Sequence, residues 1–328
     1  MKKWISLILA VCMICGLCAC GAPAATESTT EAPVETTENP AKAILDGKKI
    51  LFIGNSHTYV GNVVQQVYNT FPQQEKRSNN QGFFYLFSLR QGCQVEVTNW
   101  TFSSHGLGSI FGNLCGVKGD CLGLNHEEYL VDRYFDYVVI QPGVGESSEA
   151  NVAKDIAYIV DFFKKENPDV KFALLGNTSV YGNNSNGKTY PGITSYYKTL
   201  EEQGFIIADW GKLANDLIRG LVTPEGSTVP YAKSSFVIKD GFHPNYLSGY
   251  IATVMLYCAL TGQSAEEIPA DMFQNAAMAT MVENHLKKSY VDGAADTNFH
   301  TVLTVESELQ GIHKLIDKYL AEKPYLQN

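Results

Sequence analysis

Short apolar runs recur along this chain, each followed by a polar turn and then by a segment of helical period, and this alternation limits the available folds more than any other feature. The run "KKILFIG" at 48–54 is apolar on both parities, the mark of a short strand covered on both faces. "CQVEVTNW" at 93–100 alternates and is β-rich, "YFDYVVIQ" at 134–141 and "VKFALLGN" at 170–177 repeat the apolar theme, and "FIIAD" at 205–209 adds a fifth strand. Between them lie segments of helical period at about 61–71, at 82–91 ("GFFYLFSLRQ"), at 151–168 ("NVAKDIAYIVDFFKKENP", closed by a proline) and at 194–204, ending on Gly204. "GYIATVMLYCALTG" at 249–262 is apolar nearly all round, which predicts a helix packed inside the domain. Strands alternating with helices imply right-handed crossovers and a mostly parallel sheet, hence an α/β fold, a three-layer α/β/α sandwich. In such sheets ligands bind beyond the carboxyl ends of the strands. The turn holding Ser56, the Gly106 region, Gln141 and Asn177 all follow strand ends, so they are candidates to converge on one crevice.

With 328 residues, 45% of them hydrophobic, the chain can bury a sizeable core, and a single large domain is expected. A formal net charge of -9 argues against the basic face that nucleic-acid binding needs. Residues after Gly262, including "ELQGIHKLIDKYL", are polar-helical in pattern and are expected to wrap the outside of the sandwich as a C-terminal extension from about 263.

The N-terminus reads differently. "MKKWISLILAVCMICGLCAC" places two lysines before an apolar run and ends in small residues, a secretory signal over 1–20. Its end resembles a bacterial lipobox, which implies that Cys20 becomes the lipidated mature N-terminus. Residues 21–43 are built from Ala, Thr, Glu and Pro with almost nothing large and apolar, so they cannot repay their ordering entropy by burial and predict a disordered spacer. A domain over 44–328, tethered by lipid alone to the outer face of a bacterial cell membrane, is the resulting expectation. The mature chain keeps Cys93, Cys115, Cys121 and Cys258. Cys115 and Cys121 flank a Gly-rich loop and are the candidate disulfide pair in a compartment that permits one, although four cysteines allow three connectivities. Cys258 lies in the apolar helix and reads as a buried thiol.

A serine attacks a carbonyl only when a base takes its proton, a third group orients the base, and donors await the developing oxyanion. Ser56, in "FIGNSHT", follows the first strand; Asp240 and His243, in "KDGFHPN", lie three apart just before the apolar helix. That spacing can set a carboxylate beside an imidazole and fix its tautomer. These two stretches, at opposite ends of an alternating α/β chain, resemble the first and last motif blocks of the SGNH (GDSL) hydrolase superfamily of serine esterases, over roughly residues 48–262. The resemblance implies a flavodoxin-like sandwich, Ser56 as nucleophile, His243 as base and Asp240 as its orienting acid.

The usual G-D-S of that family is G-N-S here, with Asn55 in place of the aspartate. From the family pattern the oxyanion donors are expected to be the backbone N–H of Ser56, the N–H of Gly106 (with Gly108 as rival) and a third group. The asparagine that normally supplies the third is replaced by Gly145, so Gln141 is the expected substitute and Asn177 its rival. No metal or organic cofactor is required: His105, His126, His285, His300 and His313 lack ligand spacing, and His57 reads as a packing or lining residue. "GLGSIFG" at 106–112 has Phe111 where a dinucleotide loop needs its third glycine. The Asn-rich loop "YGNNSNGKTYPG" at 181–192 suits sugar hydroxyls. An extracellular esterase removing acetyl or other small acyl groups from a glycan is therefore expected, against the alternatives of a lipase or lysophospholipase and of a glycan-binding domain without turnover.

Overall fold

The computed structural model describes residues 39–65, 82–103, 105–110, 133–142, 149–177, 196–238, 240–274, 276, 279–280 and 302–326. Its centre is a five-stranded sheet of order β2-β1-β3-β4-β5, in which every pairing is parallel. The strands are β1 (Lys49–Gly54), β2 (Glu96–Thr101), β3 (Tyr137–Ile140), β4 (Lys171–Gly176) and β5 (Ile206–Asp209). This is the flavodoxin-like order, in which the chain reverses direction across the sheet between β1 and β3 and opens a crevice at their carboxyl ends.

Why the strands read as continuous apolar runs is visible in their packing. Ile50 and Phe52 of β1, Tyr137 and Val139 of β3, and Ala173 and Leu175 of β4 enter one buried cluster. Their neighbours Leu51 and Ile53, Val138 and Ile140, and Phe172 and Leu174 enter the other. Side chains alternate across a strand, so two apolar parities require two covered faces. The first face is covered by α3 (Phe83–Arg90), α7 (Trp210–Ile218), α8 (Tyr246–Thr261) and α9 (Glu306–Glu322). The second is covered by α4 (Leu107–Ile110), α5 (Glu149–Glu166) and α6 (Tyr197–Glu202). The expected three-layer α/β/α sandwich is the observed fold.

Several boundaries differ from the sequence reading. The expected spacer reached to residue 43, yet α1 (Pro40–Leu45) begins before it and buries Ala41 and Leu45. Asn39 caps this helix by accepting from Ala41 N–H at 3.0 Å, and Pro40 opens it, a cap signal that the surrounding Ala- and Thr-rich composition hides. The second strand starts at Glu96, not at Cys93. Gln94 is instead tied to the approach to β1, donating its N–H to Asp46 at 2.7 Å and accepting from Gly47 N–H at 2.7 Å. The C-terminal helix α9 is also more than an outer wrap. Leu309, Ile312, Ile316 and Tyr319 are buried with α8 in the first core cluster, and fully buried His313 places Nε2 2.7 Å from the Tyr250 hydroxyl. Cys93 and Cys258 are buried free thiols. Cys20, Cys115, Cys121, Gly145 and the loop at 181–192 lie outside the described residues.

Candidate active site

Gly54 ends β1, and the chain turns at once into α2 (Ser56–Tyr59), a single helical turn capped by Asn55. Gly54 is needed here for space: a Cβ would stand 2.6 Å from Thr58 Oγ1 and 2.9 Å from Gln141 Oε1. Helical geometry starting at Ser56 lifts its hydroxyl off the sheet edge.

The histidine comes from the other end of the chain. Residues 236–238 and 240–245 flank a tight reversal, closed by Ile238 N–H to His243 O at 2.9 Å and Asn245 N–H to Phe236 O at 3.0 Å. Asn245 then caps α8, accepting from Ser248 N–H at 3.1 Å while its amide donates to Ser235 O at 2.8 Å. Inside the reversal Asp240 Oδ1 accepts the backbone N–H of Phe242 at 2.8 Å and of His243 at 2.9 Å. One carboxylate oxygen thus shapes the loop and the other is left for the imidazole ring.

What sets this loop against the nucleophile turn is a backbone contact. A Cβ on Gly249, in the first turn of α8, would lie 1.6 Å from Gly61 O. Only glycine lets α8 approach the chain that leaves α2. The resulting geometry brings Ser56, His243 and Asp240 together: His243 Nε2 is 2.8 Å from Ser56 Oγ, and Nδ1 is 2.6 Å from Asp240 Oδ2. Since the carboxylate can only accept, Nδ1 carries the proton and Nε2 is free to accept from the serine hydroxyl. Burial pushes the Asp240 carboxyl up, but the ring hydrogen bond and the two backbone N–H groups together outweigh it and hold the group below its ordinary range. The acid therefore stays charged beside the base. A serine, an imidazole of fixed tautomer and a carboxylate in this order can move a proton off a nucleophile and stabilise the imidazolium that forms.

His57 is placed as a packing residue. Its ring stacks on His243 at 5.1 Å with an interplanar angle of 23° and meets the edge of Phe242 at 4.7 Å. Burial first, and then the neighbouring His243, push its pKa down to about 3, so it stands neutral against the imidazole that must move a proton. Although it adjoins Ser56 in the chain, its ring lies against the working imidazole, and His243 is the one that meets the serine hydroxyl. Phe242 is 39% exposed beside this pair.

The donor side requires a correction. Gln141, expected as the third oxyanion donor, is 1% exposed and committed to other partners. Its Oε1 accepts Asn55 N–H at 3.1 Å and the Thr58 hydroxyl at 2.9 Å, and its Nε2 donates to Pro142 O. Asn55 N–H can only donate, which fixes that end as oxygen, so the amide N–H group faces the adjacent backbone and not the crevice. Gln141 buttresses the nucleophile turn. The rival, Asn177, is fully buried, and neither of its amide atoms has a hydrogen-bond partner among the described residues. Of the glycines, Gly108 spends its N–H on Asp155. Gly106 N–H and Ser56 N–H have no acceptor among the described residues. Sequence reasoning missed the real task of Gln141 because a long amide at a strand end reads the same whether it faces out or in.

The sheet order sets the fold type, and the turn after β1 and the loop before α8 bring a Ser-His-Asp set to the sheet's carboxyl edge. The fold is a flavodoxin-like three-layer α/β/α sandwich. No protein-family model and no curated protein matches this chain. Among solved structures, similarity is found to a protein described as a GDSL-like lipase from Parabacteroides merdae, at 16% identity and a TM-score of 0.45, over 67% of this chain and 97% of that one. The acetylxylan esterase Axe2 from Geobacillus stearothermophilus is similar at 16% identity and a TM-score of 0.44, over 66% of this chain and 95% of that one. A protein described as an SGNH hydrolase, from Slackia heliotrinireducens, follows at 14% and 0.40, over 66% and 99%. In this flavodoxin-like frame the described residues that cap the crevice come from the ends of β1, β2 and β3 and from the reversal before α8, with Ser56 at the topological switch point.

Proposed function

We propose that the chain is a serine esterase that transfers an acyl group to Ser56 and then to water. The observation that carries this reading is the continuous relay from Ser56 Oγ to His243 Nε2 at 2.8 Å and from Nδ1 to Asp240 Oδ2 at 2.6 Å. His243 takes the serine proton as Oγ attacks the ester carbonyl, and the N–H groups of Ser56 and Gly106 receive the oxyanion. The protonated imidazole then gives its proton to the departing alcohol. In the second half His243 activates water against the acyl-enzyme and Ser56 leaves with the proton returned.

For the substrate we infer a small acyl ester, acetyl foremost, carried on a glycan outside the cell. Support comes from the exposed ring of Phe242 beside His243, which offers an apolar face to a sugar ring, and from the signal-like and Thr/Pro/Glu-rich N-terminus that leads to a lipid-anchored extracellular domain with Cys20 as the anchor. Hydrolysis of p-nitrophenyl acetate by the full chain tests the reaction class. Ser56→Ala is expected to lower kcat by about 10⁴-fold or more, and turnover undiminished in that variant would remove Ser56 from the chemistry. Preference for p-nitrophenyl octanoate over acetate would replace the glycan reading with a lipase.

A further inference from the structure

The residue before the nucleophile makes contacts that its neighbours do not. Asn55 Oδ1 accepts His57 N–H at 3.0 Å, Asn55 Nδ2 donates to His105 O at 3.0 Å, and Asn55 N–H donates to Gln141 Oε1 at 3.1 Å. One buried residue therefore joins the turn after β1 to the loops after β2 and β3. Because its oxygen is held by a backbone N–H, the end that faces His105 must be the NH₂, a group an aspartate lacks.

The peptide reached by that amide is the one that matters. His105 O and Gly106 N–H belong to a single planar unit, and a hydrogen bond on the carbonyl fixes the rotation of the plane and with it the direction of the N–H. We infer that Asn55 is a positioning residue, whose amide clamps the His105–Gly106 peptide and so aims the Gly106 N–H at the oxyanion. The inference rests on the esterase reading. It also accounts for G-N-S in this chain. A carboxylate at position 55 would keep the acceptor for His57 N–H but would face the His105 carbonyl oxygen with a second negative oxygen, which repels the loop where the amide holds it. Restoring the commoner G-D-S motif therefore damages the site.

The test compares Asn55→Asp and Asn55→Ser with the parent and with Ser56→Ala, on the full chain with p-nitrophenyl acetate. Loss of a whole oxyanion donor costs about 10²- to 10³-fold in kcat, and a misaimed one somewhat less. Asn55→Asp is expected to lower kcat about 10- to 100-fold with KM within about twofold, since the Gly106 N–H acts on the transition state and not on the bound ester. Affinity for a phenylboronic acid adduct of Ser56 falls by a similar factor. Asn55→Ser keeps a helix-capping oxygen too short to reach His105 and gives the same pattern, which preserves the test should the aspartate variant fold poorly. A merely structural residue would lower the melting temperature and the amount of active enzyme while leaving boronate affinity per active site unchanged. Parental kcat in either folded variant, with Ser56→Ala inactive, overturns the inference. Parental kcat in Ser56→Ala overturns instead the esterase reading beneath it.

Discussion

Two groups of buried polar side chains stand at the carboxyl edge of the same sheet, one around Asn55 and Gln141 at the ends of β1 and β3, the other around Asn177 and Asp209 at the ends of β4 and β5. In the first, the side-chain oxygens of both residues and the Asn55 amide have partners, reached across loops from distant parts of the chain. In the second, Asn177 has no partner for either amide atom among the described residues, and Asp209 is 1% exposed with one oxygen accepting Lys212 N–H at 3.2 Å and the other without a partner among them. Burial raises the Asp209 carboxyl to about 7 against the help of Lys212, with the nearby Asp216 adding to the rise. Asp240, on the partly exposed loop beside the nucleophile, is held below its usual range by hydrogen bonds. The same residue type thus serves opposite ends: charged and poised where its donors outweigh burial, and drawn toward the protonated form where burial outweighs its backbone donors. A paired polar network holds geometry for chemistry, and an unpaired one leaves a pH-dependent weakness in the fold.

Substitutions that separate the two regions follow from this contrast. The largest effect after Ser56→Ala is expected from Asp240→Asn, which removes the charge beside the imidazolium and unsettles its tautomer. Steady-state assays of p-nitrophenyl acetate should give a kcat about 10³- to 10⁴-fold lower with an unchanged melting temperature, and a loss below tenfold would show that His243 works without its acid. Gly249→Ala comes next. The added methyl cannot share space with the Gly61 carbonyl, whose oxygen would lie 1.6 Å away, so α8 must shift and carry the His243 loop with it. A fall of about 5 °C or more in melting temperature, accompanied by loss of activity, is the expected result; full activity with parental stability would mean that this contact does not set the Ser56–His243 distance.

The smallest effect belongs to the second region. Asp209 holds a proton in the folded chain up to about pH 7, while the unfolded chain releases it near pH 4. The folded state therefore binds more protons between these values. Its contribution is complete below about pH 4 and is lost as pH rises toward 7. His57 runs the other way. Its pKa of about 3 in the folded chain lies below the unfolded value, so its contribution is complete above about 6.5 and is lost as pH falls toward 3. Asp209→Asn keeps a capping oxygen for α7 and removes the first of these dependences. Between pH 5 and pH 8 the two dependences oppose each other in the parent, so the melting temperature at pH 8 relative to that at pH 5 should be higher by about 3 °C or more in this variant, with kcat unchanged. An altered kcat would join the two regions that the structure keeps apart.

Much of the frame was legible because it depends on local pattern. Both parities of "KILFIG" and "FALLG" are apolar, and a strand with two covered faces is the only economical way to bury them. The apolar circumference of "GYIATVMLYCALTG" likewise marked α8 as interior. The helix at 40–45 went unread because six residues carry too little periodicity to stand out from an Ala- and Thr-rich segment. Gln141 was misread for a related reason: residue type states what a side chain can donate, and only its surroundings state where the donation goes.

The sequence by itself determined the alternating α/β order, the two motif stretches and the chemical types of Ser56, Asp240 and His243, all of which follow from composition and spacing along the chain. The tertiary structure alone decided that His243 and not the adjacent His57 faces the serine, that Gln141 supports the turn, and that Asn55 reaches the His105 carbonyl. These are distances between residues up to 187 positions apart, set by a backbone contact at Gly61 and Gly249 and by which side of a turn each ring occupies. Spacing along the chain carries no information about either.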